Sequence, residues 1–201
     1  MPDLSLCILM QTIENLISEL TSGDDERAEA SVGKIVAYGP AALPNLAKLL
    51  SSPEVDNRWW ALRALAELPF LQARNLMLEA LDDPEISVRQ CAALGLRLQP
   101  DPRAVPTLIT ALDHPDALYA SLAAHTLVAT GEPAVLPLIS VLESGTHAAQ
   151  IKAVRALALI GDERSIPALF LALDDDSILM EFWASEGLER MGVGMTFYKP
   201  Q

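Results

Sequence analysis

The chain has few of the residues on which several classes of protein depend. Only two of its 201 residues are cysteines, Cys7 and Cys91, and they form no C-x-x-C motif. The sequence therefore indicates neither a disulfide framework nor a zinc site, and it favours a reducing compartment. Basic residues are also scarce, since 14 Lys and Arg stand against 27 Asp and Glu, for a formal charge of -13. Such a chain repels phosphate backbones, so we expect no nucleic acid partner.

Long apolar runs and aromatic residues are scarce as well. The run from Leu6 to Met10 follows an acidic residue and is far shorter than the roughly 18 residues that mark a membrane span. We therefore expect no membrane insertion and a cytoplasmic protein. Aromatic residues make up 5% of the chain although 51% of it is hydrophobic. The core must then consist of Leu, Ala, Ile and Val, which suits closely packed helices.

What the chain does contain is an internal repeat, clearest in the stretch from Pro84 to Asp113. Each copy reads as two amphipathic helices, and neither helix buries its apolar face alone, so the copies must stack. Four columns of small and large residues recur at intervals of 30 or 31 positions. They are Ala61, Ala92, Ala123, Ala153 and Ala184 with Leu65, Leu96, Leu127, Leu157 and Leu188 in the first helices, and Leu46, Met77, Leu108, Leu138 and Leu169 with Leu50, Leu81, Leu112, Leu142 and Leu173 in the second.

These columns predict an all-α protein, a right-handed α-solenoid of about five helical-hairpin repeats that forms a single domain over residues 1–201. We expect a capping helix over 3–22, a final helix over 176–191, and an irregular tail over 192–201 because Gly192 and Gly194 break helices. The tail either covers the open end of the last repeat or docks elsewhere. The predicted repeats are 24–52, 53–83, 84–114, 115–144 and 145–175.

The repeat core resembles HEAT repeats of the short bacterial type named after phycobilisome lyases, in the segments VRQCAALGL, DPRAVPTLITALD and AVRALALIGDERSIPALFLALDD. This resemblance covers about residues 24–192. It implies either a non-enzymatic protein-interaction scaffold or assembly chaperone, or a subunit or chaperone of an E/F-type lyase that attaches a bilin to a phycobiliprotein. It also implies a structural pair between Asp83 and Arg89, in an incomplete ladder because later copies carry Ala120 and Gln150 at the place of Arg89.

Two surfaces are candidates for partner contact. In the first helices Trp59 and Phe182 share a column about 160° from the core alanines, so we expect exposed aromatic anchors, whereas Trp60 and Trp183 fall on a partly buried flank. The second helices, which by analogy with HEAT repeats line the concave face, carry few charges in their outward columns. This neutral groove either binds a protein or an apolar ligand, or is shielded by the curl of the solenoid. The candidate positions in it are Leu76, Thr107, Thr110, Ser140 and Leu171, and Ala168 falls on the same outward columns.

Candidate catalytic and metal-binding residues are scarce in this sequence. Ser121 and His125 lie four residues apart on one helical face, yet no carboxylate is placed to orient the histidine, so we expect no catalytic residues. Under the lyase hypothesis catalysis would need a second subunit. The acidic turns between repeats should align as a ridge that serves solubility, and Asp174–Asp176 lacks the spacing of a calcium loop. We expect no metal and no resident cofactor, with a transiently bound bilin as the alternative.

Overall fold

The computed structural model describes residues 4–193, with side chains described from Thr12 onward. Within these residues every regular element is helical, and the chain divides into two compact units, residues 1–99 and residues 100–201. The division falls inside the third predicted repeat. The predicted all-α solenoid is confirmed, whereas its handedness and its description as a single domain stay predictions. The burial of Cys7 and the course of the tail beyond residue 193 lie outside the described residues.

The first unit contains the predicted capping helix, the first two repeats and the opening helix of the third. Its first helices pack side by side, since α2 contacts α4 and α4 contacts α6, while α3 and α5 pack against α4 and α6. The bounds are α1 Leu4–Leu20, α2 Asp25–Val36, α3 Leu43–Leu50, α4 Val55–Leu65, α5 Leu71–Glu79 and α6 Ile86–Leu98.

The second unit continues the same alternation of longer first helices and shorter second helices. Here α8, α10 and α12 pack side by side, and α9 and α11 pack against α10 and α12. The predicted final helix over 176–191 is observed as α12. The bounds are α7 Val105–Ala111, α8 Ala117–Thr130, α9 Val135–Ser144, α10 His147–Ile160, α11 Ile166–Ala172 and α12 Ile178–Arg190.

Local sequence signals explain where the helices begin. The side chain of Asp116 accepts a hydrogen bond from the Tyr119 N–H at the start of α8, and Thr146 caps α10 in the same way. Three second helices carry a proline at one of the first two helical positions, where its missing N–H costs no hydrogen bond. Helix α10 ends at Ile160, and the following residue, Gly161, adopts a left-handed conformation with φ of 69°.

The predicted core columns are buried. All five alanines and all five large partners in the first helices are nearly or fully inaccessible to solvent, as are the five residues from Leu46 to Leu169 in the second helices. In the last column the two end members, Leu50 and Leu173, are half-buried. The small alanines let neighbouring helices approach and the leucines fill the space that remains, so one pattern of residue sizes builds the core of both units.

The predicted pair between Asp83 and Arg89 is joined through the Asp83 backbone, and the Asp83 carboxylate has a second arginine as its partner. The carboxylate of Asp83 binds the guanidinium of Arg58, one repeat earlier, through bonds of 2.8 and 2.9 Å. Arg89 donates to the backbone carbonyl of Asp83 at 2.7 Å, whereas the sequence pattern had implied that it binds the carboxylate. Because the chain enters each first helix beside the helix of the preceding repeat, the aspartate side chain reaches back to that helix. The pair between Arg58 and Asp83 thus joins two repeats.

Candidate functional site

In the first unit a groove of about 340 Å³ lies along the second helices α3 and α5. Leu76, a predicted contact residue, lines it and is half-buried. The groove is also lined by Glu79, Asp82 and Asp83, so the expected neutral surface carries carboxylates here. Glu79 was one of the two charges expected on this face, whereas Asp82 and Asp83 belong to the following turn, which the sequence had assigned to a separate acidic ridge.

The second unit has a comparable groove of about 270 Å³ along α9 and α11. Leu171 lines it with 71% of its surface exposed, which makes it one of the most exposed large apolar residues described. Ala168, which the sequence placed on the same outward face, is buried. Glu143 and Asp175 add carboxylates to this groove as well. Leu171 therefore combines an exposed apolar side chain with an acidic surround.

The three polar candidates of the second helices lie at or near the surface. Thr110 is exposed and its hydroxyl donates to the Pro106 carbonyl of its own helix at 3.2 Å. Ser140 is exposed, and Thr107 is half-buried. Because the Thr110 hydroxyl is satisfied within its own helix, it has little left to direct a partner, so Thr110 marks the face without defining its specificity.

The first-helix face of the first unit is built around two tryptophans. Trp59 and Trp60 pack edge to face with ring centroids 4.9 Å apart, and both are half-buried, so Trp59 is less exposed than expected. They border a wide depression of about 590 Å³ that is also lined by Asp25, Glu29 and Asp56. This aromatic surface is therefore acidic.

The corresponding face of the second unit is apolar and basic. Phe182 is 54% exposed and packs edge to face on the half-buried Trp183, with centroids 5.2 Å apart. The guanidinium carbon of Arg155 lies 5.2 Å from the Trp183 ring centroid, within the range of a cation–π contact. Leu118 and Leu179 add exposed apolar surface on the same series of helices.

A smaller groove of about 140 Å³ lies between α8 and α10 and contains the serine and histidine considered as a catalytic pair. Ser121 and His125 line it together with Lys152 and Arg155. The described residues that line it include no carboxylate of the kind that orients the histidine of a catalytic triad. This basic cluster was not predicted from the sequence, although His125 and Arg155 each lie two residues after a core alanine, so the repeat alignment places them at equivalent positions.

The described residues were also compared with the requirements of a metal site, a membrane span and a reactive cysteine. In this part of the chain no three His, Cys, Asp or Glu side chains gather as a metal ion would require. No described helix has both the length and the apolar character needed to cross a membrane. Burial raises the pKa of the Cys91 thiol to about 12, and its sulfur lies 3.7 Å from the Trp59 carbonyl oxygen. Cys91 is therefore a structural thiol, not a nucleophile at neutral pH.

Comparisons with solved structures agree with this architecture. A chain of the complex of CpcE and CpcF of phycocyanin lyase from Nostoc sp. PCC7120 matches with a TM-score of 0.55 and 23% identity, over 90% of this chain and 77% of that one. A designed armadillo repeat protein in complex with the peptide (KR)4 matches with a TM-score of 0.54 and 17% identity, over 88% and 98%. At these identities the likeness concerns the fold alone.

Family models give the same result from sequence. The model for HEAT repeats matches residues 73–140, and the model for the PBS lyase HEAT-like repeat matches residues 149–175. A search of curated protein sequences finds no match. The two matched segments include the repeats from which the resemblance was first recognised. The chain is a HEAT-repeat protein of the PBS lyase HEAT-like type.

Proposed function

We propose that this protein is a non-enzymatic scaffold or assembly chaperone that binds another protein through exposed apolar side chains of its helical repeats. The observation that carries the proposal is the exposure of Phe182, at 54%, on a helix that also exposes Ile178 and Leu179. These residues lie at i, i+1 and i+4 and so share one side of α12. Exposed large apolar residues grouped in this way mark interaction surfaces.

The second-helix face supports the same role. Leu171 and Leu76 each line a groove between neighbouring second helices, and each is accompanied by carboxylates. An apolar residue surrounded by polar groups is the usual composition of a contact that another protein covers, because the polar rim keeps the free surface soluble.

The test compares variants in a quantitative pull-down from the protein's own cells. Phe182→Ala and Leu171→Glu should each lower capture of a specific partner about tenfold or more, since loss of a central interface residue costs roughly 2 kcal/mol or more. Trp59→Ala should have a smaller effect because that side chain is half-buried. Leu98→Glu is the matched control, since Leu98 is similarly exposed at 64% but lies outside the predicted contact surfaces. Equal capture by all folded variants would contradict the proposal.

A second candidate is a subunit or chaperone of an E/F-type bilin lyase. The specific support is the PBS lyase HEAT-like repeat over 149–175, together with the fold likeness to a phycocyanin lyase chain. In this case the second-helix grooves would receive the bilin or the apo-phycobiliprotein. Co-expression with a bilin and an apo-phycobiliprotein should then increase pigment attachment, measured by visible absorbance of the purified phycobiliprotein. No gain over a control without this protein would eliminate the candidate.

A further inference from the structure

The groove between α8 and α10 is positively charged in a chain whose net charge is strongly negative. His125 comes from α8, Lys152 and Arg155 come from α10, and the apolar residues Val128 and Leu159 complete much of the lining. Lys152 and Arg155 are three residues apart, so their side chains project from one side of α10. Two helices therefore bring three nitrogen-containing side chains together over an apolar base.

The two cations of this groove have no carboxylate partner among the described residues of the second unit. Other arginines there are paired: Arg103 binds Asp101, Arg164 binds Asp162 and Glu132, and Arg190 binds Glu186. Lys152 donates only to the Ala148 carbonyl of its own helix at 3.1 Å. In a chain with about twice as many acidic as basic residues, two adjacent cations left without a carboxylate are available to an external one.

Arg155 is also held in place from its other side. Its guanidinium lies 5.2 Å from the centroid of the Trp183 ring, and the residue remains exposed, so its N–H groups stay accessible. A side chain that is already ordered loses less conformational entropy when it binds an anion. Trp183 in turn contacts Phe182, and Leu179 lies one turn before it on α12. Apolar surface thus begins where the cationic groove ends.

The size of the groove narrows the choice of occupant. Its volume of about 140 Å³ is well below the roughly 300 to 1,000 Å³ of pockets that enclose a small molecule. It can receive a carboxylate side chain, while exposed Phe182 and Leu179 can receive apolar residues of the same segment. Extended polyanions are disfavoured because the chain as a whole carries a charge of -13.

We infer that the first-helix face of the second unit binds an acidic amphipathic segment of a partner protein, with glutamate or aspartate side chains on Lys152 and Arg155 and apolar side chains on Phe182 and its neighbours. The inference rests on the proposed scaffold function and adds the chemistry of the partner. The proposed basic surface differs from the second-helix grooves, where carboxylates lie beside Leu76 and Leu171.

The experiment measures fluorescence anisotropy of a labelled peptide of Glu and Leu at helical spacing, against a matched peptide in which every Glu is Gln. The full chain should bind the Glu peptide more tightly, and added salt should weaken that binding. The double variant Lys152→Gln, Arg155→Gln should bind it about tenfold more weakly. The double variant Lys34→Gln, Lys48→Gln is the matched control, because it removes the same charge from two exposed lysines of the first unit.

Each outcome supports or overturns the inference. Equal losses in both double variants would mean that only net charge matters, and equal binding of the Glu and Gln peptides would remove the acidic specificity. Tighter binding of a single-stranded oligonucleotide than of the Glu peptide would assign the groove to nucleic acid. Unchanged capture of a specific partner by the groove variant, where Phe182→Ala reduces that capture, would refute this site while leaving the scaffold function intact. Circular dichroism checks that each variant is folded.

Discussion

The first-helix faces of the two units share a core pattern but differ in the residues they present to solvent. Five positions before the core alanine the first unit carries Asp56 and Ser87, whereas the second unit carries the exposed leucines Leu118 and Leu179. The buried columns are the same in both units because helices of one size must pack against one another. The outer columns are under no such constraint. The proposed partner binding therefore depends on the outer columns, not on the repeat frame.

The surroundings of the tryptophans show the same difference. In the second unit Arg155 lies over Trp183, one helix further along the stack. Arg155 is two residues beyond a core position of α10, and the residue two beyond the buried Ser31 of α2 is Gly33. No side chain from that position can therefore cover Trp60. The tryptophan surface of the first unit is lined by carboxylates, one of which, Glu29, pairs with Arg63, whereas in the second unit Arg155 lies directly over the Trp183 ring.

The largest expected effect tests whether the two cores are equivalent. Leu46→Ala in the first unit and Leu108→Ala in the second should each lower the free energy of unfolding by about 2 to 5 kcal/mol, because both side chains are fully buried and leave a cavity. Urea denaturation measures both. The neighbouring Thr107→Ala should change it by no more than about 0.5 kcal/mol, as expected near the surface. A cost below about 1 kcal/mol for one of the two leucines would break the equivalence.

The next effect concerns the ion pair between Arg58 and Asp83, which the next copy does not repeat at the same positions. Arg58 and Asp83 have about 10% and 11% of their side chains exposed, and His114 occupies the position of Asp83 in the next copy. Asp83→Asn should lower the free energy of unfolding by about 3 kcal/mol at pH 7, since it leaves Arg58 buried without its carboxylate. Asp82→Asn is the control, because Asp82 is exposed. A similar cost for both would contradict a role of the pair.

The same pair predicts a pH dependence. Burial opposes ionisation of Asp83, but hydrogen bonds from Arg58 and from the Glu85 N–H, with the charges of Arg58 and Arg89, outweigh it and lower the pKa of that carboxyl. A lowered folded-state pKa gives stability that is present above the ordinary aspartate range near pH 4 and is lost as the pH falls further. Urea denaturation should therefore show less acid sensitivity in Asp83→Asn than in the wild type. Identical pH profiles would contradict the lowered pKa.

A smaller effect tests what a cation over Trp60 would contribute to stability, since Gly33 stands at the position that corresponds to Arg155. A side chain at Gly33 meets nothing within 4 Å, and the backbone there is ordinary helix. Gly33→Ala should raise the free energy of unfolding by about 1 kcal/mol through helix propensity. Gly33→Arg should add about 0.5 kcal/mol more if the new guanidinium reaches Trp60. A double-mutant cycle with Trp60→Leu separates this contact from other interactions, and a coupling energy of zero would remove it.

Residues that repeat at fixed spacing were well predicted from sequence, since burial in a helix follows local periodicity. The positions of Ala153 and Leu157 in the core needed only the 3.6-residue period and the alignment of copies. Contacts between copies were less well predicted. The sequence pattern paired Asp83 with Arg89 in its own helix, whereas the carboxylate reaches the preceding repeat. Such contacts depend on the offset between neighbouring helices, which the period does not define.

The candidate surfaces show the same limit. Leu171 and Phe182 were expected to be exposed and are, because each lies on a helical face opposite the core. Ala168 was expected on the outward face and is buried. Predicting the basic groove required knowing how α8 and α10 lie against each other, because Lys152 and Arg155 form a cluster only together with His125 of the neighbouring helix. Helical wheels describe one helix at a time and do not place the neighbouring helix.

The most direct test of the difference between the two faces is isothermal titration of the Glu and Leu peptide into two aromatic variants. Phe182→Ala should weaken binding about tenfold, as loss of a central apolar contact does. Trp59→Ala should leave the affinity within about twofold, because the tryptophan surface of the first unit is lined by Asp25, Glu29 and Asp56, which repel an acidic segment. A larger loss for Trp59→Ala than for Phe182→Ala would contradict the assignment of partner binding to the second unit.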